Sequence, residues 1–138
     1  MNDVTVLLVD EHDDVRGLLS RGLGAYPPLK VVAATRSPMK GIQLAETLAP
    51  DIILVDLRSR GQYSAETYSR IGRASPTSRL VVYTSYLTPE EERAACAAGA
   101  CCCMLKGLSI KELAARLVDI CASPAPDPAG SGLGLRSA

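Results

Sequence analysis

Asp51-Ile-Ile-Leu-Val-Asp56, followed by Leu57-Arg58-Ser59-Arg60-Gly61, is an apolar run of strand length that closes on a carboxylate. A strand ending this way presents its acid at the rim of a sheet, where a ligand can reach it. Other apolar runs end similarly. Val4-Thr-Val-Leu-Leu-Val9 runs into Asp10-Glu11, Arg79-Leu-Val-Val-Tyr83 runs into Thr84-Ser85, and Cys101-Cys-Cys-Met-Leu105 delivers Lys106. If these strands are parallel neighbours, carboxylates, a hydroxyl and an ammonium converge on one sheet edge.

Between the runs the apolar residues take a helical period. Val15, Leu18, Leu19, Gly22 and Leu23 trace one face; Ile42, Ala45, Leu48 and Ala49 trace a second. The clearest is the last, where Ile110, Leu113, Ala114, Leu117, Val118 and Cys121 keep the i, i+3, i+4 spacing. Ser109 and Glu112 form a capping box at its start, and Thr88-Pro89 with Glu91 does the same for the fourth helix. Ser37-Pro38 opens the second. The third helix is only loosely periodic, through Tyr63, Thr67, Tyr68, Ile71 and Ala74, with Gly61 and Gly72 bracketing them. Strict alternation of five strands and five helices predicts an α/β fold with a parallel sheet. Residues 1–122 form the expected domain. From Ser123 the composition turns to Ser-Pro-Ala-Pro-Asp-Pro-Ala-Gly-Ser-Gly, so 123–138 is expected to be a flexible tail or the stump of a linker.

A chain of 138 residues with 47% hydrophobic content suits one domain with one core. Its net charge of +0 lacks the basic excess that direct nucleic-acid binding needs. No apolar run reaches the roughly 20 residues of a membrane span, and the N-terminus is acidic and polar, so a cytoplasmic protein with no membrane contact is expected. Of the five cysteines, Cys101, Cys102 and Cys103 are consecutive, and adjacent strand residues point to opposite faces. The triplet cannot close on one metal. Small buried hydrophobes are the favoured reading, ahead of a thiol sensor at Cys103.

Crowded carboxylates at Asp10, Glu11 and Asp56 repel one another unless a cation joins them, and hard oxygen ligands suit Mg²⁺ or Mn²⁺. Lys106 and Thr84 suit an incoming group rich in negative oxygens, such as a phosphoryl group. Asp56 is then a candidate nucleophile, since carboxylates form acyl phosphates. For any one of these residues a bland role is the better reading: a helix-capping acid, a solvated lysine, a β-forming threonine. For the full set at these strand ends it is not. His12, the single histidine, reads as a surface residue of the first helical turn rather than a ligand or phosphorelay histidine.

Val9-Asp10-Glu11, Leu54-Val55-Asp56-Leu57-Arg58, Tyr83-Thr84-Ser85 and Ala98-Gly99-Ala100 leading to Leu105-Lys106 together resemble the receiver domain of bacterial two-component response regulators. Arg58 and Thr84-Ser85-Tyr86 are most similar to the LuxR/NarL type. The resemblance spans about residues 3–122 and implies a flavodoxin-like (CheY-like), doubly wound five-stranded sheet of order 2-1-3-4-5. It implies a signalling domain rather than an enzyme: Asp56 as the phosphoacceptor for a sensor histidine kinase, with Thr84 and Lys106 binding the transferred group. Asp10, Glu11, Asp56 and the Arg58 backbone carbonyl would hold Mg²⁺ or Mn²⁺. Arg58 and Tyr86 would tune the lifetime of the phosphorylated state. Homodimerisation on phosphorylation and control of transcription through a DNA-binding domain outside this chain are the implied outputs. The alternatives are a stand-alone receiver acting on a protein partner and a phosphorylation-independent interaction module. An aspartyl phosphatase of the haloacid-dehalogenase kind is disfavoured, because Arg58 stands where that pattern has a second acid, and a nucleotide-binding fold lacks its glycine-rich turn.

Three positions depart from the receiver pattern. Glu11 stands where Asp is usual, Arg60 where Pro is common, and Cys103 where an aromatic normally switches between exposed and buried rotamers. Hydrogen bonds to charged groups contribute roughly 1.5–3 kcal/mol each, so new contacts from Thr84 and Lys106 would supply roughly twice that. Reversing an equilibrium from about 1:99 to 99:1 takes roughly 5.5 kcal/mol. The two match only if both contacts are absent beforehand.

Overall fold

The computed structural model describes residues 3–59, 62–63 and 65–122, with Arg58, Ser59, Gln62 and Tyr63 described by backbone alone. The expected tail at 123–138 and Arg60 lie outside the described residues. The elements are β1 (Val4–Asp10), α1 (Asp13–Leu23), β2 (Leu29–Thr35), α2 (Pro38–Leu48), β3 (Ile52–Asp56), β4 (Arg58–Ser59), β5 (Gln62–Tyr63), α3 (Ala65–Ala74), β6 (Arg79–Thr84), α4 (Pro89–Ala97), β7 (Ala100–Leu105) and α5 (Ile110–Ala122).

Five strands form a parallel sheet in the order β2-β1-β3-β6-β7, the doubly wound arrangement expected. The small antiparallel pair of β4 and β5, joining Arg58 to Tyr63 and Ser59 to Gln62, was not foreseen. Tyr63 therefore belongs to a strand and not to the third helix, which begins at Ala65.

The central strands β1, β3 and β6 are buried on both faces, which is why they read as nearly unbroken apolar runs. Side chains alternate between the faces. Val6, Leu8, Ile52, Leu54 and Val81 pack with Leu19, Leu23, Leu113 and Leu117 of α1 and α5. Leu7, Val9, Ile53, Val55 and Val82 pack with Ala45, Tyr68, Ile71 and Ala95 of α2, α3 and α4. Three residues assigned to helix faces do not face the core: Leu18 and Leu48 are exposed, and Ala49, also exposed, is the left-handed C-cap beyond α2. On α2 the inward row is Gly41 and Ala45, and a Cβ at Gly41 would come within 3.0 Å of both Val9 methyls. A small-residue face lets that helix lie close on β1, which apolar periodicity alone does not reveal.

The predicted helix starts are present. Ser37 accepts from the Lys40 N–H at 3.1 Å. Thr88 with Glu91, and Ser109 with Glu112, form reciprocal capping boxes at 3.0–3.1 Å. Gly107, at φ 130°, makes the turn between β7 and α5 in a backbone region that side chains rarely adopt.

All five cysteines are free. Burial is the main influence on the Cys103 thiol and pushes its pKa up to about 12, with Cys96 and Glu92 adding to the effect. The nucleophilic thiolate is thus suppressed near neutrality, as a packing role requires. Iodoacetamide at neutral pH is expected to label exposed Cys96 well before Cys103, with Cys103 labelling accelerating as pH rises toward 12. Peptide mass mapping over a time course checks this; equal rates at the two cysteines would contradict it.

Candidate functional site: an acidic pocket at the switch point

From β1 the chain crosses to β2 on one side, and from β3 onward it proceeds to the other, so strand order reverses between β1 and β3. Their carboxyl ends are where a sheet of this kind binds ligands. The register pairs Asp10 directly with Asp56, and both are almost fully buried.

Two neighbouring buried carboxylates need compensation, and Lys106 supplies it. Its Nζ stands 2.6 Å from Asp56 Oδ2 and 3.1 Å from Asp10 Oδ2. Burial is the largest single influence on this ammonium and lowers its pKa. The hydrogen bond to Asp56, the charges of both acids and the bond to Asp10 outweigh it, so the pKa lies above that of an ordinary lysine. The lysine is charged in this setting. The backbone carries it into place, since the Lys106 N–H donates to the Thr84 carbonyl at 2.7 Å. Thr84 is also buried; among the described residues its hydroxyl makes only a long contact, 3.5 Å, to the Tyr86 carbonyl.

Asp10 Oδ1 accepts the His12 backbone N–H at 2.8 Å and lies 2.9 Å from His12 Nδ1. The Arg16 guanidinium, paired with Asp13 at 2.9 Å, donates to the Asp10 carbonyl at 3.0 Å. The other Asp56 oxygen, Oδ1, is buried with no hydrogen-bond partner among the described residues. An orphaned carboxylate oxygen next to a second acid fits a cation or an incoming electrophile. Ligand atoms of Asp10, His12 and Asp56 lie within 4.8 Å of one another.

The structure thus brings together Asp10, Asp56 and Lys106, with Thr84 on the adjoining strand end. Glu11 is half-buried, its N–H reaching the Asp56 carbonyl at 3.4 Å, but it is not a member of the ligand cluster. The Arg58 side chain lies outside the described residues. Tyr86 is 64% exposed, and Cys103 is half-buried against the core of the α2–α4 face.

Two contributors escaped the sequence reading. His12, set aside as a surface residue, is exposed yet turned onto the acids. Tyr68 is buried, and its hydroxyl accepts the Leu57 N–H at 3.0 Å and donates to the Leu57 carbonyl at 3.2 Å, clamping the residue after Asp56. A tyrosine amid a loosely periodic, otherwise polar helix was the only signal. Lys106 also alters the energetics: it already holds Asp56, so its bond to a phosphoryl group would be an exchange, and only the Thr84 contact would be largely new.

A doubly wound α/β domain with a lysine-bridged acid pair at its switch point defines a class, and comparison with known proteins resolves the family. The family model for the response regulator receiver domain matches residues 6–118, and the chain belongs to that family. It is 32% identical over 111 residues to the transcriptional regulatory protein LiaR of Bacillus subtilis (strain 168), covering 80% of this chain and 53% of that protein. It is also 32% identical over 113 residues to the nitrate/nitrite response regulator NarL of Escherichia coli (strain K12), covering 82% and 52%. The chain therefore spans about half the length of these relatives. A solved two-component response regulator of the LuxR family from Aurantimonas sp. SI85-9A1 superposes with a TM-score of 0.77 at 26% identity, covering 88% of this chain and 86% of that one. The chain is a receiver domain of the two-component response regulators, with LuxR/NarL-type homologues. Among the described residues no helix is long and apolar enough to cross a membrane.

Lys106→Met leaves the buried acids unbridged, and loss of one partner from such a cluster costs about 3 kcal/mol or more. Urea unfolding is expected to show that loss in metal-free buffer, with Mg²⁺ restoring more stability to the variant than to the parent. Tyr68→Phe strands the Leu57 N–H and is expected to cost about 1–3 kcal/mol; a change below measurement error would remove the clamp from the account.

Proposed function

We propose that Asp56 is the phosphoacceptor of this receiver, taking a phosphoryl group from a phosphohistidine on a sensor kinase. One observation carries this most directly: Asp56 Oδ1 is buried and unpartnered while Oδ2 is held by Lys106. The lysine fixes the carboxylate by one oxygen and leaves the other, without a partner among the described residues, as the candidate nucleophile. Attack by Oδ1 on phosphorus forms the acyl phosphate as the donor's P–N bond breaks, its electron pair staying on the imidazole nitrogen. Lys106 then shifts from carboxylate oxygen toward the phosphoryl oxygens, and Thr84, whose hydroxyl has only a long bond to lose, turns to donate to one of them.

Asp10, Asp56, Glu11 and the Arg58 carbonyl would hold Mg²⁺ or Mn²⁺, which when bound neutralises charge on the transferring group. Arg58 and Tyr86, flanking the site, would set how fast water removes the phosphoryl group, and Cys103 stands on the strand through which the change is read. The output we propose is transcriptional, as the name of LiaR indicates for that protein, and dimerisation on phosphorylation would convey it. The net charge of +0 leaves DNA contact to another unit.

A second reading, a phosphorylation-independent interaction module, is favoured by one observation: Lys106 is engaged before phosphorylation, which lowers the switching energy. It predicts equal partner binding by the parent and Asp56→Asn.

Incubation with acetyl phosphate and Mg²⁺, read by intact mass, is expected to add the mass of one phosphoryl group to the parent and none to Asp56→Asn. Absence of the addition in the parent, or its persistence in the variant, would overturn the proposal.

A further inference from the structure

We infer that His12 is a nitrogen ligand of the cation site, making it a mixed imidazole and carboxylate centre that favours Mn²⁺, Co²⁺ and Ni²⁺ over Mg²⁺. This rests on the proposed cation site and specifies its chemistry. His12 Nδ1 is 2.9 Å from Asp10 Oδ1 and 3.6 Å from Asp56 Oδ2. Neighbouring ligands around an octahedral ion at 2.0–2.1 Å stand about 2.9 Å apart, so the imidazole already occupies a ligand's distance from the acids. Asp56 is almost fully buried, its Oδ1 has no hydrogen-bond partner among the described residues, and a ligand atom from each of Asp10, His12 and Asp56 lies within 4.8 Å of the others. Lys106 binds Oδ2 of both acids, while Asp10 Oδ1 is bonded only to His12 among the described residues, so a cation entering there would exchange the contact of Oδ1 with Nδ1 for bonds to both.

His12 thus adds a nitrogen donor to the carboxylate oxygens of Asp10 and Asp56. Mg²⁺ binds chiefly oxygen and gains little from imidazole. For the transition ions, affinity for such a donor set rises from Mn²⁺ through Co²⁺ to Ni²⁺. The His12 side chain is 56% exposed and makes no side-chain cap to α1, so exchanging its ring's bond to Asp10 for an ion would not dismantle the helix start.

Because His12 is the only histidine, an imidazole nitrogen coupled to bound Mn²⁺ has a single source in tag-free protein. Pulsed electron paramagnetic resonance of the Mn²⁺-loaded full chain is expected to show that nitrogen coupling, and His12→Gln to abolish it while Mn²⁺ still binds. Calorimetric titration of His12→Gln is expected to show Ni²⁺ affinity falling about 10–100-fold, the scale of losing a supporting group at a metal, with Mg²⁺ affinity retained. Mn²⁺ bound without nitrogen coupling in the parent would overturn the His12 assignment and leave the acidic cation site standing. Mn²⁺ and Mg²⁺ binding unchanged in Asp10→Asn would overturn the cation site itself, and this inference with it.

Discussion

The pocket depends on one three-way contact, Lys106 between Asp10 and Asp56. The parallel register of β1 and β3 forces the two acids together at neighbouring strand ends, in a setting too dry for water to screen them. A single ammonium answers both, delivered by β7 from two strands away. The fold and the charge arrangement are therefore one requirement: without the lysine the register is electrostatically costly, and without the register the lysine has nothing to bridge.

Much of this was legible in the chain. Continuous apolar runs such as Asp51–Asp56 announce strands buried on both faces, and the polar residue closing each run marks the edge where chemistry collects. Capping boxes at Thr88 and Ser109 fixed helix starts because they are local pairs with defined spacing. What escaped notice depends on three-dimensional packing. Leu18 and Leu48 lie on helical periods yet face outward, because a helix covering a sheet buries a narrower stripe than the apolar pattern offers. The hydroxyl of Tyr68 reaches a backbone 11 residues away, and the ring of His12 turns back onto Asp10; neither rotamer has a signature in sequence.

The structure also shifts where switching energy resides. On the proposed phosphorylation of Asp56, a lysine already bound to it would give back much of what it gained, leaving Thr84 as the larger source of differential interaction. With one charge-assisted hydrogen bond worth roughly 1.5–3 kcal/mol, below the roughly 5.5 needed for full reversal, a graded change in populations fits this site better than an all-or-none one.

The 2.7 Å bond from the Lys106 N–H to the Thr84 carbonyl ties together the backbones of the two residues proposed to meet the phosphoryl group. The two backbones move together, and the tie passes beside Leu105, which pairs with Thr84 across the strands and lies 56% exposed. A backbone shift at the end of β6 is thus coupled, through one hydrogen bond, to the end of the strand that carries an apolar side chain at the surface.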